Sequence, residues 1–245
     1  MSGFGRKALY SAEATALNRR VQGQFCQRYA GNPFFAMTET HRIKSQLRSA
    51  LQQRRRTLSP SAQRAAAQAL TDSVVDLPNW ARAQRIALYL SADGEIDTKP
   101  LEKLARGLGK QLFLPVINSD NSLSFAHWHV DDSLLNNRYN IPEPPAAATR
   151  CAVAELHIIF LPLVGWDMHG GRLGMGGGFY DRTLSGISGP LLVGLAHDSQ
   201  RVEEIPQESW DIRLDYIATE AALYRPKGIR EQNRSVLLRE DDASL

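Results

Sequence analysis

The chain has 245 residues, of which 43% are hydrophobic and 22% charged. That is ordinary for a soluble globular protein of one or two domains, and long enough to bury a sizeable core. Net charge is only +3, too small by itself to argue for a nucleic-acid partner, and no apolar run reaches the ~20 residues that span a bilayer.

The first thirty residues are interrupted by Arg6, Lys7, Arg19, Arg20 and Arg28, so they lack the apolar centre of a signal peptide. Residues 1 to 37 show no sustained periodicity, and Gly31-Asn32-Pro33 is a strong break. They read as an extension outside the core, with Met37 as a candidate natural start. Cys26 and Cys151 form no C-x-x-C pattern, which argues against a disulfide framework or cysteine zinc site and for a reducing cytoplasm.

From Thr38 or Thr40, either of which can cap it, a helix is expected to about Arg56, with Ile43, Leu47, Ala50 and Leu51 as its apolar stripe. Lys44 and Arg48 share a face four residues apart, and Arg55 falls near the same line. No acidic residue lies between Glu39 and Asp72, so this helix carries a positive field suited to an anion. RNA is a second reading of the basic run, but no aromatic residue is interleaved to stack bases. Ser59-Pro60 is a cap and first-turn proline for a second, alanine-rich helix to about Val75.

Strands and helices then alternate. Arg85 to Leu90 reads as a buried strand, Thr98 to Leu108 as a helix, Gln111 to Ile117 and Leu123 to Val130 as strands, and Ile141 to Ala148 as a proline-rich loop. His157 to Val164 and Pro190 to Ala196 are apolar strands, a helix starts near Tyr180, and Tyr216 to Thr219 is a short last strand. This order predicts an α/β fold with a mostly parallel central sheet flanked by helices, preceded by an N-terminal helical pair. The domain is expected over residues 38–224, with a polar tail from 225 to 245. Ligands of such sheets sit beyond the carboxyl ends of the strands. Three polar segments follow strands directly: Ser91 to Asp97, Gly165 to Asp181 and His197 to Asp211. They should converge.

The most distinctive stretch is Gly170 to Leu184, six of whose fifteen residues are glycine. It is neither a Walker A sequence nor a clean dinucleotide fingerprint. A glycine loop lets backbone N–H groups approach a phosphate closely, and Arg172 adds a planar fork for its oxygens. Tyr180 offers a hydroxyl. Asp181 reads equally as a helix cap or as a ligand for magnesium, which favours few carboxylates plus phosphate and water oxygens. Glu95, at a strand end, can accept from ring N–H groups of a heterocycle or sit in a surface turn. Trp128 reads as strand packing. The histidines show no zinc spacing.

These pieces resemble the 5-formyltetrahydrofolate cyclo-ligase family (5,10-methenyltetrahydrofolate synthetase) over roughly Thr40 to Ala221. The resemblance rests on Lys44-Ser-Gln-Leu-Arg48, Tyr89-Leu90-Ser91 with Gly94-Glu95-Ile96-Asp97-Thr98, Phe160 to Val164, Arg172-Leu-Gly-Met-Gly-Gly-Gly-Phe-Tyr-Asp-Arg182, and Trp210-Asp211. It implies ATP-dependent, magnesium-assisted cyclisation of 5-formyltetrahydrofolate, with ATP as co-substrate and no nucleic acid required. It also implies residue roles. Lys44, Arg48, Arg172, Leu173, Gly174, Met175, Gly176, Gly177, Gly178, Phe179 and Tyr180 would hold ATP, with Lys44, Arg172 and Tyr180 nearest the chemistry. Leu90, Glu95 and the Met175 to Phe179 segment would face the folate, and Asp181 and Asp211 would hold magnesium. Met175 and Gly177 stand where some members carry basic residues. A non-catalytic folate or nucleotide binder, or an RNA-binding protein on the same fold, is the alternative.

Overall fold

The computed structural model describes residues 33–227; the expected extension and tail fall outside that range, except for residues 33–37 and 225–227. Four helices are present among the described residues: α1 (Pro33–Arg56), α2 (Pro60–Val74), α3 (Lys99–Gly107) and the short α4 (Phe179–Leu184). α1 begins at Pro33, several residues before the expected Thr38 or Thr40, so Met37 lies inside the helix and not just ahead of it. α2 starts as expected: the Ser59 hydroxyl accepts from the Ala62 N–H at 3.2 Å, with Pro60 in the first turn.

The main sheet has eight strands. Its parallel centre runs β2 (Gln111–Ile117), β1 (Arg85–Ala87), β7 (Ile158–Pro162), β10 (Leu191–Leu195), β11 (Tyr216–Ala218). Antiparallel strands finish both edges: β3 (Leu123–His127) and β6 (Arg150–Cys151) beyond β2, and β12 (Leu223–Tyr224) beyond β11. Two small ribbons pair β4 (Leu135–Asn136) with β5 (Pro142–Glu143) and β8 (Gly165–Trp166) with β9 (Arg172–Leu173). β5 lies within the stretch read as a loop. Pro142 cannot donate to a ladder, and a two-residue ribbon carries no periodic signal, so the sequence hides it.

β7 shows why its run is continuously apolar. Ile158 and Phe160 enter one core with Leu70, Val74, Leu101 and Ala105 of α2 and α3. Ile159 and Leu161 enter the other, with Phe113, Phe125, Trp166 and Leu184. A strand covered on both faces has no solvent side to make polar. The two N-terminal helices serve different surfaces: α2 joins the first core, whereas α1 docks Leu47 and Leu51 on Val164, Leu173, Val202 and Ile205. β1 is the first strand laid down, with β2 on one side and β7 on the other. The chain therefore departs in opposite directions from its carboxyl end, leaving a crevice there.

Candidate active site

A large cavity of about 1380 Å³ opens at that crevice. It exceeds the ~300–1,000 Å³ usual for one small ligand and has room for two. The segment just after β1 supplies Tyr89 and Leu90, and the following turn Ser91, Asp93 and Glu95. The end of β7 supplies Pro162, Leu163 and Val164; α1 contributes Lys44, Arg48 and Arg55. Arg172 to Arg182 form one wall, and Glu208, Trp210 and Asp211 close another side. All fifteen residues singled out for ATP, folate and metal line this one space. The three polar segments do converge.

The glycine stretch divides into two parts with different jobs. Gly170 and Gly171 belong to a turn built on the buried Asp167 carboxylate, which accepts N–H groups of His169, Gly171 and Ile205 at 2.8 to 2.9 Å. That turn starts β9 and ties down the segment leading to Asp211. The cavity loop proper is Gly174 to Gly178. Gly176 has φ +100 and lies against the Arg48 guanidinium, 3.4 Å from where a Cβ would stand; Gly178 has φ +67 at the cap of α4. Both conformations favour glycine. Arg48 Nε donates to the Gly174 carbonyl at 2.9 Å, holding the loop onto α1. Burial lowers the Arg48 pKa from its ordinary value, with Asp211 and Glu208 opposing the shift; it stays far above neutrality.

Charges around the loop are paired across long sequence distances. Lys44 Nζ, nearly inaccessible, donates to Glu208 Oε2 at 2.9 Å and Asp211 Oδ2 at 2.5 Å. Arg172 pairs with Asp181, which also accepts the Ile212 N–H at 3.1 Å. Asp181 therefore does not cap α4, whose cap position is Gly178; its carboxylate turns toward Arg172 and the Asp211 segment. Arg172 Nε is buried without a hydrogen-bond partner among the described residues. The Tyr180 ring lies 6.0 Å from the Arg172 guanidinium carbon. Burial pushes the Tyr180 phenol up, with the Glu95 carboxylate reinforcing the shift, so it stays protonated.

Glu95 lies in the turn that follows β1 and lines the same cavity. Burial raises its carboxyl above the usual range, partly offset by the Ala92 N–H at 3.0 Å and by Arg55 at 3.8 Å. Arg55 is a residue whose importance sequence reasoning missed. It is fully buried, and its Nε and Nη2 grip the Asp93 carbonyl and carboxylate at 2.8 and 3.0 Å. It thereby fixes the turn that presents Glu95. Arg56 also binds Asp93, and Arg54 donates to the Ser199 carbonyl at 2.8 Å. All three arginines thus have acceptors within the chain. Glu208 was missed as well. Its spacing three before Asp211 carries no motif, and only the fold brings it to Lys44. So were the apolar wall residues Leu114, Pro115, Ile117, Leu123 and Ile141. Trp128 packs as expected, buried beneath the Arg106 guanidinium at 4.5 Å.

The sequence profile of the 5-formyltetrahydrofolate cyclo-ligase family matches residues 40–220. The chain belongs to this family. It is 38% identical over 179 residues to the 5-formyltetrahydrofolate cyclo-ligase of Escherichia coli strain K12, covering 71% of this chain and 98% of that one. It is 38% identical over 176 residues to the Haemophilus influenzae cyclo-ligase, covering 70% and 94%. The NMR structure of Aquifex aeolicus 5,10-methenyltetrahydrofolate synthetase superposes with a TM-score of 0.67 at 32% identity, covering 77% of this chain and 95% of that one. The synthetase of Mycoplasma pneumoniae, 23% identical with a TM-score of 0.60 over 72% and 98%, shares the fold. No helix among the described residues is long and apolar enough to cross a membrane.

Proposed function

We propose that this cyclo-ligase family member converts 5-formyltetrahydrofolate and ATP to 5,10-methenyltetrahydrofolate, ADP and phosphate. The observation that carries the reading is a cavity lined both by the Lys44/Arg48/Arg172 cations with their glycine loop and by Glu95. The formamide carbon of the substrate is a poor electrophile, because N5 donates into the carbonyl. The formyl oxygen attacks the γ-phosphorus and ADP leaves, giving an iminium-like phosphate ester. N10 of the same folate then attacks that carbon, loses its proton, and phosphate departs. Phosphoryl transfer of this kind depends on positioning and charge stabilisation.

Residue roles follow from chemistry. Lys44, Arg48 and Arg172 bind phosphate oxygens, with the amides of Gly174 to Gly178 approaching closely for want of a Cβ. The partnerless Arg172 Nε supports this assignment. Glu95 and Leu90 hold the pterin, and Met175 to Phe179 pass between nucleotide and folate. The protonated Tyr180 hydroxyl is a donor beside them. No covalent enzyme intermediate is required.

For magnesium the fit rests on the donor set. No cluster of three or more His, Cys, Asp or Glu residues suited to a metal occurs among the described residues. Magnesium bound with nucleotide, however, needs only one or two carboxylates. The hydrogen bonds of Asp181 all fall on Oδ1 and those of Asp211 all on Oδ2, leaving an oxygen of each for a cation. Asp181 and Asp211 would hold magnesium, which when bound neutralises charge on phosphate oxygens. We place the reaction in a reducing cytoplasm, which suits the Cys151 thiol, in no disulfide among the described residues.

The test is formation of the methenyltetrahydrofolate chromophore. Absorbance should rise only when protein, ATP, magnesium and 5-formyltetrahydrofolate are all present. Folded protein that gives no ATP-dependent product would overturn the proposal.

A further inference from the structure

Tyr89 ends the β1 run at the cavity. Its side chain is 4% exposed and its ring packs in the first core, among Leu88, Ile96 and Trp128. Its hydroxyl is buried and has no hydrogen-bond partner among the described residues. A ring that only filled space would pack as well without the oxygen, and a buried orphan hydroxyl is destabilising. The groups in electrostatic reach of that oxygen are Glu95, Tyr180, Arg55 and Asp97. The first three line the same cavity. Burial and the Glu95 carboxylate keep the phenol protonated, so the cavity that Glu95 lines as an acceptor is also lined by a residue with a neutral donor.

An acceptor next to a donor is the complement of one edge of a 2-amino-4-oxo pteridine. There the amino group and N3–H donate, and the adjacent 4-oxo group accepts. We infer that the Tyr89 hydroxyl is a specificity contact that donates to the pteridine 4-oxo group while Glu95 accepts from the neighbouring N–H groups. The inference rests on the folate reading above and goes further by assigning the ring's orientation.

The experiment uses Tyr89→Phe, which keeps the ring. Equilibrium binding of 5-formyltetrahydrofolate should weaken roughly tenfold, with ATP affinity unchanged. The melting temperature of the ligand-free variant should stay level or rise, because the orphan oxygen is gone. A tetrahydrofolate analogue lacking the 4-oxo group supplies the second arm. It should bind wild type and variant equally, because each change removes the same bond. Unchanged affinity of Tyr89→Phe for the natural folate would overturn the inference. So would additive losses in the second arm, or a lowered melting temperature that accounts for the weakening. Wild type that neither binds nor converts the folate would instead remove the reading on which the inference stands.

Discussion

At the scale of single residues, Glu95 shows function set against stability. Burial raises its carboxyl, so folding favours its protonated form. Its ionisation therefore subtracts from stability as pH rises from the unfolded value to the folded one, and the loss is complete above that. At neutral pH, Glu95→Gln should keep or raise the melting temperature while weakening folate binding about tenfold or more; paired thermal melts and binding titrations check this. A lower melting temperature would mean that the Arg55 contact outweighs burial. Arg172 and Asp181 make a second test. Asp181→Asn retains an acceptor for the Ile212 N–H, yet turnover should fall by about 100-fold, with the magnesium dependence moved to higher concentration. Unchanged turnover would contradict its metal role. The types of these residues were legible in the sequence, and so was the choice between cap and ligand as a choice. That Asp181 pairs with Arg172 was not, because the eight intervening residues include the loop whose path sets the approach.

At the scale of elements, two glycines predict opposite outcomes. Gly176 sits in the cavity loop at φ +100 with Arg48 beneath it. Gly176→Ala should raise the KM for ATP about tenfold while moving the melting temperature little, since the loop is exposed. Gly194 lies in β10, where a Cβ would stand 2.5 Å from Leu163 Cδ1 and 2.6 Å from Leu214 Cδ1. Gly194→Ala should cost about 1–3 kcal/mol of stability by overpacking and leave the KM for ATP alone. Steady-state kinetics beside thermal melts distinguish the two. The glycine-rich composition of the loop is visible in the sequence. The reason Gly194 must be glycine is not, for it depends on side chains from β7's end and from residue 214. The two-residue strands β4, β5, β8 and β9 were invisible for a related reason. They are too short for periodicity and are defined by their partners.

At the scale of the whole molecule, the crevice is held by contacts that cross it. The buried His197 ring approaches the Gly94 carbonyl at 3.3 Å, joining the Glu95 turn to the segment after β10. Burial lowers its pKa from 6.5 to about 4, with Gly94 opposing the shift and Arg55 adding to it. The unfolded chain therefore binds a proton that the folded chain refuses. Stability from this group is complete above pH 6.5 and is lost as pH falls toward 4, by up to about 3 kcal/mol. Melting temperature followed across that range should drop, and His197→Gln should flatten the drop; an equal acid limb in the variant would refute the assignment. The sequence by itself determined the α/β class, the strand and helix order, and the glycine, basic and acidic residues that meet at the site. These are carried by periodicity, turn chemistry and contiguous motifs, all local along the chain. Only the tertiary structure decided which charges pair, that Arg55 is a buried strut and not a surface cation, and that Glu208 reaches Lys44. Only it showed that Tyr89, which lines the cavity with Glu95, carries a hydroxyl with no hydrogen-bond partner among the described residues. Such relations depend on burial and on distances between segments as many as 167 residues apart, which no local pattern encodes.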